Sequence, residues 1–338
     1  MGEALARLSD PDSQEQHSPF GDHSAFVVDL ARDDGVAIDD PRLGAAGSRL
    51  AGLACPSVGL AASQGMAGQT ASARLASCLD LVVASDEELE MVLSRIAAKP
   101  LATMTLVQLL RHNAGCGLID GLLAESLAYS TLQSGPEFAA WAGANPGSVD
   151  SAGQGEDEQP LLLSREGNCL RLELNRSERR NAFSQAMRDA LAGALDLALR
   201  DPTVDRVLVS GRGSDFCSGG DLGEFGTLDD PATAHAVRST RNVGRLVDSM
   251  RDRIEFRVHG AAVGAGIELA AFAGRVVAAP DSFFELPELG MGLVPGAGGT
   301  VSILRRIGRQ RLAYMAITGV RVPGALALAW GLVDEIAG

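Results

Sequence analysis

The chain has 338 residues, with 29 basic and 43 acidic side chains and a formal net charge of −14. That balance excludes a nucleic-acid or anionic-membrane binder built on a basic face. The excess is uneven: residues 1–160 hold 8 basic and 22 acidic side chains, whereas residues 161–338 hold 21 of each, so the halves read as different modules. Apolar residues make up 46% and aromatics only 4%, so the core must rest on Ala, Val, Leu and Ile. Lys99 is the single lysine and precedes Pro100, which argues against Schiff-base chemistry. The scattered cysteines Cys55, Cys78, Cys116, Cys169 and Cys217 offer neither a disulfide framework nor metal-ligand spacing, and no metal is expected. No run of about 20 apolar residues marks a membrane span. The opening Met1-Gly-Glu-Ala-Leu-Ala lacks a basic then apolar leader, so the expectation is a cytoplasmic protein.

Residues 1–22, polar and rich in Asp, Ser and Gln, read as a mobile tail. Residues 23–144 read as a mainly helical domain. Short strands are predicted at 25–30 and 79–84, and the intervening small residues at 31–71 show weak periodicity. A helix at 85–98 opens on Ser85, with Asp86, Glu87 and Glu88 in its first turn. Further helices follow at 101–112 and 121–133. Residues 145–160 have the Gly, Ser, Asp, Glu and Pro content of an exposed linker.

From 161 to 338 strands and helices alternate, which predicts an α/β domain. A strand at 170–174 precedes an amphipathic helix at 184–200, with Met187, Leu191, Leu195 and Leu199 at i+4 steps. A strand at 204–210 then breaks into the Gly-rich loop 211–221, and a helix is predicted at 232–250. A strand at 254–258 leads to a second Gly-rich loop, 260–266, a helix at 267–273 and a strand at 276–279. The stretch 283–299 is loop-rich, and helices at 298–307 and 310–318 follow.

A strand that breaks into glycines and re-forms as a helix leaves amides unpaired, and two such amides converging on one carbonyl oxygen form an oxyanion hole. Glu268 falls in the first turn after the second loop, and Glu288 follows Pro287. The second loop is not a dinucleotide fingerprint, because Leu269 stands where Gly or Ala is required. Pro295-Gly-Ala-Gly-Gly-Thr lacks the Gly-Lys-Ser/Thr of a phosphate loop. His259 reads as structural, Asp221 as a cap, and Glu285 as a solvated or paired acid able to influence Glu288.

Four stretches carry a resemblance. They are Asn175-Arg-Ser-Glu-Arg-Arg-Asn-Ala-Phe, Gly213-Ser-Asp-Phe-Cys-Ser-Gly-Gly-Asp-Leu, His259-Gly-Ala-Ala-Val-Gly-Ala-Gly-Ile-Glu-Leu and Phe284-Glu-Leu-Pro-Glu-Leu-Gly-Met-Gly-Leu-Val-Pro-Gly-Ala-Gly-Gly-Thr. In this order and spacing, over residues 161–336, the chain resembles the crotonase (enoyl-CoA hydratase/isomerase) family. The resemblance implies an α/β fold of the crotonase type, a ββα superhelix, usually trimeric or a dimer of trimers, that binds acyl-CoA thioesters. By position, the amides of Gly220 and Ala265 would hold the thioester oxygen. Glu268 would activate water for attack at C3, and Glu288 would exchange a proton at C2. Ser218, Arg179 and Arg180 are the candidates for contact with CoA, which enters as part of the substrate; no separate cofactor is implied. The implied reaction is addition or removal of water at an α,β-unsaturated thioester of CoA or of an acyl carrier protein. Isomerisation, C–C cleavage and a non-catalytic assembly role are the alternatives.

Two departures from the family pattern matter. Ala265 stands where relatives usually carry glycine. The chain stops at Gly338, before the helices relatives carry after Gly331-Leu-Val-Asp-Glu-Ile. Ser85–Trp141 resembles those helices, and Cys55–Ser85 resembles a degraded copy of the loop, helix and strand around Glu268. The N-terminal half is therefore expected to supply the missing cap, in cis or in trans.

Overall fold

The computed structural model describes residues 1–32, 35–61, 70–145, 159–226 and 230–337. Strands β1 (Phe26–Asp29), β2 (Ser57–Leu60) and β3 (Leu81–Val83) form a parallel three-stranded sheet. Parallel neighbours need crossovers, supplied here by helices Pro41–Ala51 and Ala71–Cys78. Asp40 and Thr70 cap them, accepting from the amides of Arg42 and Ala73. The weakly periodic stretch 31–71 thus contains a helix with Leu43, Ala46 and Leu50 on one buried stripe. The loop 62–69 of the expected degraded copy lies outside the described residues.

Residues 1–22 do not form the expected tail. They carry helices Gly2–Arg7 and Ser13–Gln16, and Met1, Ala4, Leu5 and Leu8 are buried in a small core with Phe26, Leu43, Leu50 and Leu75. Polar composition hid the reason: a few apolar residues at helical spacing suffice to anchor a short helix. His17 locks the segment, bonding Arg7 at 2.7 Å and packing edge-on against Phe26.

Helices Asp86–Ala98, Pro100–Asn113, Leu118–Gln133 and Pro136–Ala144 follow. Ser85 caps the first through the amide of Glu88, and the Glu137 carboxylate accepts from Leu101 and Ala102 at the start of the second. Residues 146–158, most of the expected linker, lie outside the described residues.

The second half is built on β4 (Leu161–Glu166), β5 (Cys169–Leu174), β6 (Arg206–Gly211), β7 (Ile254–Val258), β9 (Arg275–Ala278) and β12 (Glu335–Ile336). Their order is β12-β9-β7-β6-β5-β4, parallel except for the antiparallel β4–β5 pair. A small sheet joins β8 (Ala261–Val263), β10 (Phe283–Glu285) and β11 (Val322–Pro323). The single helix expected over 232–250 is two, Pro231–Thr240 and Val243–Ser249, because Asn242 caps the second through the amide of Arg245. Helix Gly299–Thr318 breaks its helical dihedrals at Gly308.

One hydrophobic core runs through both halves: Val92, Leu106 and Leu110 share it with Ile303, Leu312 and Met315. Polar contacts reinforce the junction. Buried Asp80 receives Arg111 at 2.5 Å and Arg309 at 2.6 Å. Among the described residues, no helix is long and apolar enough to cross a membrane.

Candidate active site

The two Gly-rich loops meet because they pair with each other. Cys217 donates to Ala261 O at 3.0 Å and receives Val263 N at 2.9 Å, which lays the first loop along β8. On its other side, Phe183 N reaches Gly219 O at 2.8 Å and Asp221 N reaches Phe183 O at 3.1 Å. After β8 the chain turns at Gly264, with φ +47, into helix Ala265–Ala270. Among the described residues, neither the Gly220 amide nor the Ala265 amide has an acceptor, and both residues line one cavity of about 210 Å³ with Glu268 and Glu288.

Each glutamate is seated against a glycine. A Cβ at Gly264 would collide with Glu288 Oε1, and one at Gly299 would lie 2.6 Å from Glu268 Cγ. Glu268 is buried, and its Oε2 accepts from Ala297 N and Gly299 N at 2.8 Å each. Burial pushes its carboxyl up to about 7 against the pull of those two amides. Glu288 is also buried, and its Oε2 has no partner among the described residues. Burial raises its pKa well above the carboxylate range, and the charges of Glu268, Glu125 and Glu285 add to the rise. Two acids in one cavity with different partners are driven to different protonation states.

Ser218, Arg179 and Arg180 do not line this cavity. Ser218 instead ties the loop to the preceding turn, with its amide on Arg180 O at 2.9 Å and its hydroxyl on Arg179 O at 3.4 Å. That turn places Arg180 and Asn181 at positive φ, held by Asn181 Nδ2 on Arg212 O at 2.8 Å and Asp215 O at 2.9 Å. Asp221 caps the turn after the loop through the amide of Gly223 and pairs with Arg176 at 2.9 Å. His259 bonds Gly213 O at 3.0 Å, a structural contact. Among the described residues, no group of three or more His, Cys, Asp or Glu side chains could hold a metal ion.

The sequence reading placed helix Leu118–Gln133 in the expected cap but singled out none of its site residues. Its Tyr129 and Gln133 line the cavity, and its Glu125, buried, accepts from Gly298 N at 2.7 Å and from Thr300 N at 2.9 Å. The N-terminal half therefore covers the site within the same chain. The available signal was the i, i+4 and i+8 spacing of Glu125, Tyr129 and Gln133, which puts them on one face of the helix. Arg238 of helix Pro231–Thr240 also reaches the cavity, and no motif marked it. A larger depression of about 790 Å³ lies elsewhere, around Arg206, Arg257 and Arg275, whose guanidiniums all lie near the Glu255 carboxylate.

The model of the enoyl-CoA hydratase/isomerase family matches residues 164–338, and the chain belongs to that family. A 2,3-dehydroadipyl-CoA hydratase of Escherichia coli is 32% identical over 176 residues, 52% of this chain and 68% of that one. A 1,2-epoxyphenylacetyl-CoA isomerase of the same organism is 33% identical over 183 residues, 52% of this chain and 69% of its own. The crystal structure of an enoyl-CoA hydratase from Mycobacterium smegmatis superposes with a TM-score of 0.50 at 31% identity, covering 54% of this chain and 71% of that one.

Proposed function

We propose that the protein adds water to, or removes it from, an α,β-unsaturated acyl-CoA thioester. One juxtaposition carries the reading: two buried glutamates and two unpaired backbone amides face one cavity. The thioester oxygen would lie between the amides of Gly220 and Ala265. Enolate charge gathers there as C3 is attacked, and each such donor is worth about 3–4 kcal/mol in the transition state. Glu268, the acid already holding two amide donors, is the easier to ionise and would take the proton of the attacking water. Glu288, kept protonated by burial and by neighbouring carboxylates, would deliver a proton to C2. CoA arrives with the substrate, so the chemistry needs no separate cofactor. Ser218, Arg179 and Arg180, on the turn and loop beside the site, would meet the CoA portion. A trimeric or hexameric assembly in the cytoplasm completes the reading.

Loss of the enoyl-thioester absorbance of crotonyl-CoA on mixing tests it. Wild type should consume the absorbance, and Glu268→Gln and Glu288→Gln should each be slower by about 100- to 10,000-fold, the usual worth of a general acid or base. A migrated double bond without water uptake would replace hydration with isomerisation. No conversion of any enoyl thioester would favour an assembly role.

A further inference from the structure

We propose that the acyl group taken by this site ends in a carboxylate, held by Arg238. The proposal rests on the acyl-thioester reading above and adds the class of substrate.

Arg238 stands in the cavity wall with Glu268 and Glu288. Its Nε points at Ser126 Oγ at 3.3 Å, its Nη2 bonds Ser130 Oγ, and its guanidinium carbon lies 4.6 Å from the centre of the Tyr129 ring. These contacts fix the fork without neutralising it. Among the described residues, Arg238 has no carboxylate in direct contact and its Nη1 has no acceptor; the nearest acid acting on it is Glu125, which spends its oxygens on the amides of Gly298 and Thr300. The other cavity-lining arginines differ: Arg188 and Arg241 both pair with Asp189, at 3.0 Å each. The acids of the wall are committed as well, Asp221 to Arg176 and Glu224 to the amide of Gln185.

A partly buried guanidinium without a counter-ion in contact is costly unless a ligand supplies one. Arg presents parallel N–H donors that match a carboxylate in bidentate fashion. The rest of the wall fits the same division. Phe183, Val243 and Leu269 offer an apolar track for methylenes, while Gln133 and Asn242 add polar groups. Repulsion from ionised Glu268 would keep the tail carboxylate away from the reacting carbons and direct it to Arg238.

The same guanidinium could instead meet a phosphate of CoA, and the experiment separates the two. Binding of saturated, unreactive adipyl-CoA and hexanoyl-CoA to the full chain is measured by calorimetry. Turnover is measured on 2-enoyl thioesters of matched length that end in carboxylate or methyl. We expect the carboxylate-ended ligand to bind more tightly by about 10- to 100-fold, the range for a hydrogen bond to a charged group. Arg238→Met should erase that preference, and Arg238→Lys should keep part of it. Equal binding of the two ligands to wild type overturns the proposal, whatever the variants do. A uniform loss for both ligands in Arg238→Met also overturns it and assigns Arg238 to CoA. If carboxylate-ended ligands bind preferentially but no thioester is hydrated, the hydration reading fails and the tail assignment stands. If methyl-ended thioesters are hydrated equally well, the tail assignment fails alone.

Discussion

Glu125 and Glu268 cap one helix end from opposite halves of the chain. Glu268 Oε2 takes the amides of Ala297 and Gly299 at 2.8 Å, and Glu125 takes those of Gly298 at 2.7 Å and Thr300 at 2.9 Å. Four successive amides at the start of helix Gly299–Thr318 are thereby shared between two buried carboxylates. The helix dipole favours negative charge at this end, yet two charges so close in a dry site titrate in sequence rather than together.

That sequence sets a pH profile. Burial pushes Glu268 up to about 7, while burial and then the charge of Glu268 push Glu125 up to about 8. Glu288 is also raised well above the carboxylate range, by burial first and then by the charges of Glu268 and Glu125. Under the hydration reading, kcat/KM should rise through about pH 7 as Glu268 ionises, and fall at higher pH as Glu288 loses its proton. Glu125 is still largely neutral at the first limb, and its charge, as it develops, helps to hold the proton on Glu288. Glu125→Gln should therefore move the alkaline limb to lower pH and leave the acid limb in place. Rates measured across both limbs for the two proteins check this, and movement of the acid limb alone would contradict it.

Glu268, Glu288 and the two Gly-rich loops were legible because they lie within short, ordered motifs. Ser85 was legible as a helix start for the same local reason and caps as expected, through the amide of Glu88; Ser184, read only as the first residue of an amphipathic helix, caps through the amide of Met187. Glu125 was not. A glutamate among leucines on a helix reads as a solvated acid, and its burial depends on backbone amides 173 residues away. Arg238 fails in the same way, since its partners Ser126 and Ser130 are 112 and 108 residues earlier. The helix Gly2–Arg7 was lost to composition, because burial is decided by the few apolar positions and not by the average. Local periodicity reports which face is apolar; it does not report which polar residue another segment will cover.

Asp80 is the polar joint between the halves. Its Oδ1 accepts from Arg111 Nε at 3.0 Å and Arg309 Nη1 at 2.6 Å, and its Oδ2 from Ser57 N at 2.8 Å. Removing one member of a buried charge cluster strands the others, at a cost of about 3–5 kcal/mol. Asp80→Asn should lower the unfolding free energy, read from chemical denaturation, by that amount. Arg309→Met should cost less, because Asp80 retains Arg111. A change below about 1 kcal/mol in Asp80→Asn, the scale of an exposed pair, would show that the junction is held by its apolar core alone.

Ala265 tests how the wall of the cavity sets acyl size. It is buried, lines the cavity and opens helix Ala265–Ala270, so its amide stays free whatever side chain it carries. The methyl narrows the space beside that amide and does nothing for the hydrogen bond. Ala265→Gly should therefore widen acyl scope, raising kcat/KM for long and branched enoyl thioesters relative to crotonyl-CoA. The backbone becomes freer, at a cost of about 0.5–1 kcal/mol in a helix, so a modest fall in thermal stability should accompany the gain. Kinetics measured across a chain-length series decide the matter. An unchanged ratio between long and short substrates would mean that acyl size is set elsewhere, and the wall facing it is then Phe183 and Val243.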